Sequence, residues 1–258
     1  MISECVVNKL AVKIYAGRQE MGKAASGDVI NKINELFGKQ AFVNIVFAAA
    51  PSQHEFLAGL RESNMDWRRI RAFHMDEYIC LSDDAPQRFG NFLDKNIFGN
   101  LPFLEIHYLK GNAADMQEEC GRYSGLLRQY PVDIVCMGIG ENGHIAFNDP
   151  PVADFKDDQL VKVVELDGPC RQQQVNDGCF AGLNEVPIRA ITLTIPALMA
   201  ANFIYCIVPG LTKAQAVYNT LHQKIMEQYP ATIIRTHPHA TLYLDNLSSS
   251  MLNGVTQE

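Results

Sequence analysis

Short runs of apolar residues alternate with longer amphipathic stretches along most of this chain. Several runs are apolar throughout, which is typical of strands that are covered on both faces of a sheet. This alternation predicts an α/β fold with a mostly parallel sheet and helices on both faces. The predicted strands are residues 12–15, 41–47, 70–75, 106–109, 132–137, 190–195, 203–208 and 241–244. The predicted helices lie within residues 17–37, 52–61, 88–98, 113–129 and 211–223.

The chain length fits one α/β domain with an insertion. The 258 residues are 47% hydrophobic, which is enough to bury a sizeable core, so we expect a single domain over residues 1–258. Residues 150–187 interrupt the alternation of apolar runs and amphipathic stretches, since they contain two adjacent prolines, several charges and the polar run RQQQVNDG. This segment is too long for an ordinary connection, so we interpret it as a lid over the active site.

The net charge and the cysteine content indicate which ligands the protein can bind and in which cellular compartment it acts. The net charge of -7 argues against nucleic-acid binding, so an anionic ligand needs a local cationic pocket. The seven cysteines include no CxxC pair, which is typical of reduced thiols in a cytoplasmic protein. The N-terminus does not resemble a signal peptide, and no stretch approaches the ~20 apolar residues of a membrane span. We therefore expect a soluble protein that binds neither nucleic acid nor membrane.

A pair of acidic residues follows one of the predicted strands. In a parallel sheet, ligands bind beyond the carboxyl ends of the strands, and the motif FHMDEYICL (residues 73–81) crosses such an end. If Asp76 and Glu77 lie in a turn, their side chains diverge, so that one faces the site while the other holds the loop. Asp76 is the candidate catalytic residue, and Glu77 is a candidate substrate ligand. A carboxylate near apolar and aromatic walls can act as a general base, because burial raises its pKa.

A glycine-rich motif with one histidine follows another strand, in the sequence MGIGENGHIAFNDP (residues 137–150). Gly140 and its neighbouring glycines allow tight backbone geometry and close approach of a ligand. His144 is flanked by Asn142 and Asp149, and an imidazole between a carboxamide and a carboxylate is suited to moving protons between sugar oxygens. The glycine spacing does not match a dinucleotide-binding motif.

Three polar residues are candidates for binding a phosphate group. Ser52 follows the strand at 41–47 and is expected to cap the next helix, whose N-terminal amides attract anions. Lys213 lies at the start of a predicted helix, where a cation is favourable only if an anion lies beside it. Arg171, in the lid run, either closes onto the same anion or is simply a surface residue. His237 and His239 alternate on an extended segment, so we expect no metal site.

Four motifs, FHMDEYICL, GIGENGHIAFNDP, NEVPIRAITLTIP and PGLTKA, in that order, resemble the glucosamine-6-phosphate deaminase/isomerase family. The resemblance extends over most of the chain, and it implies a modified Rossmann-like fold, an amino-sugar phosphate substrate and no cofactor. It also implies that Asp76 moves a proton between C2 and C1. His144 would assist ring opening with support from positions 142 and 149, and Ser52 and Lys213 would bind phosphate.

Some features depart from the family pattern and leave questions open. Asn142 replaces the usual acid, Asp149 replaces a glutamate, and AAAPSQ (residues 48–53) replaces a glycine-rich phosphate loop. The sequence therefore leaves open the sugar epimer, gluco or galacto, and whether phosphate is required. It also leaves open whether the chain acts alone or as a homo-oligomer. The alternative functions are a 6-phosphogluconolactonase-like lactonase, against which the MDEY form argues, and a non-catalytic sugar-phosphate sensor.

Overall fold

The computed structural model describes residues 1–252, and residues 253–258 of the expected domain lie outside the described residues. The strands are β1 (Ser3–Val7), β2 (Leu10–Tyr15), β3 (Val43–Phe47), β4 (Ile70–His74), β5 (Asp76–Tyr78), β6 (Glu105–His107), β7 (Ile134–Met137), β8 (Val161–Glu165), β9 (Arg189–Leu193), β10 (Phe203–Val208) and β11 (Ala240–Asp245). The helices are α1 (Arg18–Phe37), α2 (His54–Arg61), α3 (Phe89–Asn96), α4 (Met116–Gln129), α5 (Gly168–Asn176), α6 (Ile195–Met199) and α7 (Ala214–His222).

The main sheet has eight strands in the order β1-β2-β11-β10-β7-β3-β4-β6. β1 pairs antiparallel with β2, and the other neighbouring strands of this sheet pair in parallel. The mostly parallel sheet predicted from the alternation of apolar runs and amphipathic stretches is therefore confirmed. Within residues 1–252, no helix combines the length and the apolar character needed to cross a membrane.

The core consists of two apolar layers, one on each face of this sheet. Along β10, Ile204, Cys206 and Val208 belong to one layer, whereas Tyr205 and Ile207 belong to the other, as the two-residue period of a strand requires. Buried residues of α4, α6 and α7 complete the first layer, and those of α1, α2 and α3 complete the second. Helices thus cover both faces, as expected from strands that are apolar on both sides.

A second sheet, with the order β5-β9-β8 and antiparallel pairing, was not predicted. The range 190–195 was expected to be one strand, but β9 ends at Leu193. There the Thr194 hydroxyl accepts a hydrogen bond from the Ala197 amide and caps α6, with a proline in its first turn. Asp76 and Glu77 were placed in a turn, but they lie in β5, which is short and pairs with β9.

The segment 150–187 contains regular structure of its own. β8 pairs along its length with β9, so this part of the segment belongs to the second sheet. α5 follows β8, and it begins where the Asp167 carboxylate accepts a hydrogen bond from the Cys170 amide. The segment is therefore not irregular throughout. Its interpretation as a lid over the active site stays a prediction.

Candidate active site

A cleft lies at the carboxyl ends of three neighbouring parallel strands, β3, β7 and β10. The segments that follow these strands, at 48–53, 138–149 and 209–213, meet there, as expected for a ligand site in a parallel sheet. The cleft contains about 540 Å³ of open space, including its mouth. Its lining residues include Ala48, Ala49, Ala50, Ser52, Gln53, Met75, Asp76, Phe89, Gly138, Ile139, Gly140, His144, Ala146, Phe147, Gln173, Gln174, Asp177 and Lys213.

Asp76 lines the cleft from the start of β5. Its position is fixed from both sides, because β5 pairs with β9 and the Asp76 carbonyl lies 2.9 Å from Nδ1 of the buried His74. Burial, with a smaller contribution from the neighbouring Glu77, raises the pKa of Asp76 well above its ordinary value. A carboxylate in this environment is a stronger base than an exposed one, which fits the predicted role in proton transfer.

Glu77 is turned away from the cleft and is fully buried. Its carboxylate accepts hydrogen bonds from the backbone amides of Tyr78 (2.9 Å), Phe89 (3.0 Å) and Gly90 (3.0 Å). Burial raises the pKa of Glu77, while these amides and Arg88 partly oppose the effect. The structure therefore contradicts the prediction that Glu77 binds substrate. Its oxygens hold the start of α3 instead.

His144 lies on a tight turn built by glycines. Gly143 has a φ of 87°, in the left-handed region, and the Gly140 amide donates to the His144 carbonyl at 2.9 Å. A Cβ atom on Gly140 would lie 2.2–2.4 Å from atoms of the His144 ring. Gly140 lines the cleft, and the lack of a side chain there lets the imidazole pack against the backbone, while its contact with a substrate stays a prediction.

Asn142 and Asp149 both contact the imidazole. Nδ1 of His144 lies 2.7 Å from Oδ1 of Asn142 and 3.0 Å from Oδ1 of Asp149. Burial by itself would raise the pKa of Asp149, but the charge and hydrogen bond of His144 and the amide of Asn142 hold it below its ordinary value. A second acidic residue, Asp167, contacts Asn142 at 3.3 Å and was not predicted from the sequence as part of the site. Its position before Gly168-Pro169, a helix-start pattern, was the available signal.

The candidate phosphate ligands Ser52 and Lys213 follow β3 and β10, the two strands that flank β7 in the main sheet. Ser52 was expected to cap a helix, but it lies inside the 3-10 turn Pro51–Gln53 and makes no capping hydrogen bond. Its hydroxyl accepts from Nε2 of Gln53 at 3.2 Å, which leaves its own hydrogen available for a ligand. Lys213 ends a 3-10 turn directly before α7 and is buried. Burial lowers the pKa of Lys213, although the charges of Asp177 and Glu141 partly oppose this.

Arg171 does not line the cleft. Its guanidinium donates to the carbonyl oxygens of Leu183 (2.7 Å) and Val186 (2.9 Å), which fixes the following turn instead. The helix that carries it contributes Gln173 and Gln174 to the cleft, and Asp177 follows at the end of that helix. Sequence reasoning missed these three residues, although Asp177 follows Gln174 by three positions and Gln173 by four, the spacings that bring side chains to one helical face.

One group of potential metal ligands lies together within residues 1–252, namely His144, Asp149 and Cys170, whose ligand atoms are all within 4.8 Å of one another. Asp149 and Nδ1 of His144 already bind each other and Asn142. Burial strongly raises the pKa of Cys170, so its thiol keeps its proton and is a poor metal ligand. The donor chemistry fits a hydrogen-bonded network better than a metal centre.

Comparison with known proteins gives consistent matches over most of the chain. The profile of the family described as glucosamine-6-phosphate isomerases/6-phosphogluconolactonase matches residues 16–243. A glucosamine-6-phosphate deaminase from Bacillus cereus is 31% identical over 246 residues, which cover 95% of this chain and 89% of that protein. A glucosamine-6-phosphate deaminase from an Exiguobacterium species is 35% identical over 211 residues, which cover 77% and 81%, respectively.

Solved structures give the same picture of the fold. The structure of a monomeric glucosamine-6-phosphate deaminase is 27% identical, with a TM-score of 0.86 over 93% of this chain and 99% of that chain. A 6-phosphogluconolactonase from Thermotoga maritima is 18% identical, with a TM-score of 0.75 over 91% of this chain and 98% of that chain. At such low identity, the second likeness concerns the fold alone.

Proposed function

Because this chain belongs to the family of glucosamine-6-phosphate isomerases and 6-phosphogluconolactonases, we propose that it isomerises and deaminates an amino-sugar phosphate of the glucosamine 6-phosphate type. The observation that carries the proposal is the meeting of Asp76, His144 and Lys213 in one cleft. The named relatives at 31% and 35% identity are deaminases, which favours this reaction over lactone hydrolysis.

The proposed reaction needs only proton transfers and one water molecule. The sugar ring opens, C2 loses a proton and C1 gains one, which converts the aldose amine into a ketose imine. Water then hydrolyses the imine and releases ketose 6-phosphate and ammonia. No electron carrier is required, because the oxidation at C2 is balanced by the reduction at C1 within the same molecule.

Asp76 is the proposed base for the transfer between C2 and C1. Its carboxylate is buried in the cleft wall beside Met75 and Phe89, and burial raises its pKa. A general base works best when its pKa approaches the operating pH, because it is then both ionised and basic enough to take the proton. One carboxylate that takes the proton from C2 can return it to the adjacent C1.

His144 is the proposed group for ring opening. Its Nδ1 is held by Asn142 and Asp149, so Nε2 is the ring nitrogen left for the substrate. Ser52 and Lys213 are the proposed phosphate ligands, since a hydroxyl donor and an ammonium group lie near two short helix starts. The amides of Gln53 and Gln174, which also line the cleft, can bind sugar hydroxyls.

Three finer points are part of the same proposal. The release of ammonia is a hydrolysis, which follows the isomerisation and does not replace it. The protein is proposed to act in the cytoplasm, where amino-sugar phosphates and reduced thiols coexist. The protein acts either as a monomer or as a homo-oligomer. The deaminase of the 27% identical structure is monomeric. Light scattering at the concentrations used for assays decides between the two.

A substrate panel tests the proposal. The protein is incubated with glucosamine 6-phosphate, galactosamine 6-phosphate, unphosphorylated glucosamine and 6-phosphogluconolactone, and ammonia and ketose are measured. We expect equal amounts of ketose and ammonia from one phosphorylated hexosamine, with no effect of EDTA. The variant Asp76→Asn serves as the matched control for contaminating activity. Lactone hydrolysis without ammonia release, or ammonia release by Asp76→Asn at the parental rate, would contradict the proposal.

A further inference from the structure

Asn142 connects two carboxylates to His144. Its Nδ2 donates to Oδ1 of Asp149 at 3.0 Å and lies 3.3 Å from each carboxylate oxygen of Asp167. Its Oδ1 accepts from the backbone amide of His144 at 3.0 Å and faces Nδ1 of the same residue at 2.7 Å. Every polar atom of this side chain therefore has a partner in the network around the imidazole.

These contacts fix the orientation of the Asn142 amide. A backbone N–H can only donate, so the atom facing the His144 amide must be the oxygen. Ionised carboxylates can only accept, so the atom facing Asp149 and Asp167 must be the nitrogen. The two requirements agree, and reversal of the amide would place oxygen against two carboxylates and an NH2 group against an N–H.

The amide orientation in turn determines which nitrogen of His144 carries hydrogen. Nδ1 lies against two acceptors, Oδ1 of Asn142 and Oδ1 of Asp149, so it must be the protonated nitrogen. In the neutral ring, Nε2 is then unprotonated. Within residues 1–252, no protein group donates to or accepts from Nε2, so it is the atom that is available to the cleft.

Asp167 holds this arrangement from the start of α5. One of its oxygens accepts from the Cys170 amide at 2.7 Å, and its own amide lies 3.3 Å from Oδ2 of Asp149. The carboxylate therefore joins the helix that covers the cleft to the network behind the imidazole. The NH2 group of Asn142 has two hydrogens to donate. Asp149 accepts one of them through a single oxygen, and Asp167 accepts the other.

We propose that Asp167 is a positioning residue, which acts through Asn142 to keep His144 in the tautomer with hydrogen on Nδ1 and a free Nε2 towards the substrate. This role deepens the proposed function and rests on it, because the substrate of His144 is the sugar of that reaction. Asp167 itself touches no reacting atom. Its effect belongs to the chemical step and not to substrate binding.

The first test compares Asp167→Asn with Asp115→Asn. Asp115 caps α4 by accepting from the amides of Gln117 and Glu118, so its replacement by asparagine reproduces, outside the cleft lining, the loss of a charged capping group without the loss of the cap itself. We expect the two variants to change thermal stability by similar, small amounts. Only Asp167→Asn should lose kcat, by about 10-fold to 100-fold with KM nearly unchanged, as for a lost hydrogen bond to a charged group. Equal kcat in both variants would overturn the proposal.

The second test asks whether Asp167 acts through Asn142. In an Asn142→Ala background, Asp167→Asn should cost almost no further kcat, because the connecting amide is already absent. Equal losses in both backgrounds would show that Asp167 acts by another route and would overturn the proposal. The double-mutant cycle is measured with the phosphorylated hexosamine that the parent protein turns over fastest.

The third test does not require turnover. Nitrogen-15 NMR of histidine-labelled protein, with the signals assigned by comparison with His144→Gln, reports which ring nitrogen carries hydrogen. We expect hydrogen on Nδ1 of neutral His144 in the parent and a mixture of tautomers in Asp167→Asn. Identical spectra, or hydrogen on Nε2 in the parent, would overturn the positioning role. A parent protein that releases no ammonia would remove the proposed function, while these spectra would still decide the role of Asp167.

Discussion

Asp76 and Glu77 are adjacent in sequence, yet their carboxylates have opposite surroundings. Asp76 lines the cleft, whereas Glu77 is fully buried and accepts hydrogen bonds from three backbone amides. The alternation of side chains along β5 sends the two groups to opposite faces of the strand. The charge of Glu77 also contributes to the raised pKa of Asp76, after the larger effect of burial.

Replacing Asp76 by asparagine should remove most of the catalytic rate and stabilise the fold at neutral pH. A missing general base lowers kcat by about 10²–10⁴-fold, with a smaller effect on substrate binding. Because the folded state raises the pKa of Asp76, ionisation at neutral pH opposes folding, by about 1.4 kcal/mol per pKa unit. The contribution of Asp76 to the free energy of unfolding is complete below the pKa that it has in the unfolded chain. This contribution is lost as the pH rises through the higher pKa that it has in the folded protein.

The stability of both proteins is measured by thermal unfolding between pH 4 and 8. Asp76→Asn should gain about 2–4 °C in Tm for each kcal/mol at pH 7, and little at pH 4. Exchange of the substrate C2 hydrogen with solvent, followed by NMR, reports the chemical step. Exchange at the parental rate would move the base to another residue.

Replacing Glu77 by glutamine should act on stability more than on chemistry. The amide supplies only one acceptor oxygen for the three backbone N–H groups that Glu77 binds, and its NH2 group then faces donors. We expect a loss of about 1–3 kcal/mol in the free energy of unfolding, measured by urea denaturation. Activity per folded molecule should fall far less than in Asp76→Asn. A variant as inactive as Asp76→Asn but equally stable would give Glu77 a direct chemical role.

Replacing Lys213 by alanine should mainly weaken substrate affinity. A charge-assisted hydrogen bond to phosphate contributes about 1.5–3 kcal/mol, so KM should rise by roughly 10-fold to 150-fold. Lys162→Ala is the matched control, because Lys162 is also largely shielded from solvent but pairs with Asp157 outside the cleft lining. If Lys213→Ala weakens the binding of phosphorylated and unphosphorylated sugars equally, Lys213 does not bind the phosphate.

The affinity for phosphate should also depend on pH through Lys213. Burial lowers the pKa of this lysine, and only its protonated form attracts the anion. Inorganic phosphate binding, measured by calorimetry, should therefore weaken with rising pH before an ordinary lysine begins to lose its proton. Lys213→Arg should remove this dependence, since a guanidinium stays charged throughout the range. An unchanged pH profile in Lys213→Arg would contradict this prediction.

Replacing Gly140 by alanine should displace His144 and reduce kcat. The new Cβ would lie 2.2–2.4 Å from ring atoms of His144, so the ring or the turn must move. Misplacement of a reacting group by about 1 Å can cost roughly 100-fold in rate.

Gly121→Ala in α4 is the control, because its Cβ meets nothing within 4 Å. That control should gain about 0.5–1 kcal/mol of stability and keep full activity. Equal activity of the two variants would show that the turn absorbs the methyl group.

The sequence predicted the central strands of the main sheet well because those strands are apolar on both faces. It failed for β5 and β8, which carry charged residues and obtain their pairing from β9 across long sequence separations. Segments as short as these contain too few residues to show an apolar pattern, and their strand conformation depends on a partner that is distant in sequence. The N-terminal strand β1 was missed for a related reason, since it is an exposed edge strand with a partner only on one side.

The sequence indicated the site residues that carry distinctive reactive groups at strand ends. It did not indicate those whose place in the site depends on tertiary contacts. His144, Asp76 and Lys213 line the cleft together, which their strand-end positions indicated. Arg171 was assigned by its charge, but the carbonyl oxygens of the following turn hold its guanidinium. Asp167 looked like an ordinary residue of the insertion, because only the folded chain brings it to Asn142, 25 positions away in sequence.

The position of β11 in the main sheet has a consequence for synthesis on the ribosome. Residues 240–245 form the strand between β2 and β10, so these two strands have no common neighbour until residues 240–245 have left the exit tunnel. We expect the nascent chain to expose two unpaired sheet edges until then and to need chaperones in that interval. Protease digestion of nascent chains stalled at increasing lengths would show resistance appearing only after residue 245 emerges. Resistance at much shorter lengths would show that the two halves of the sheet fold independently.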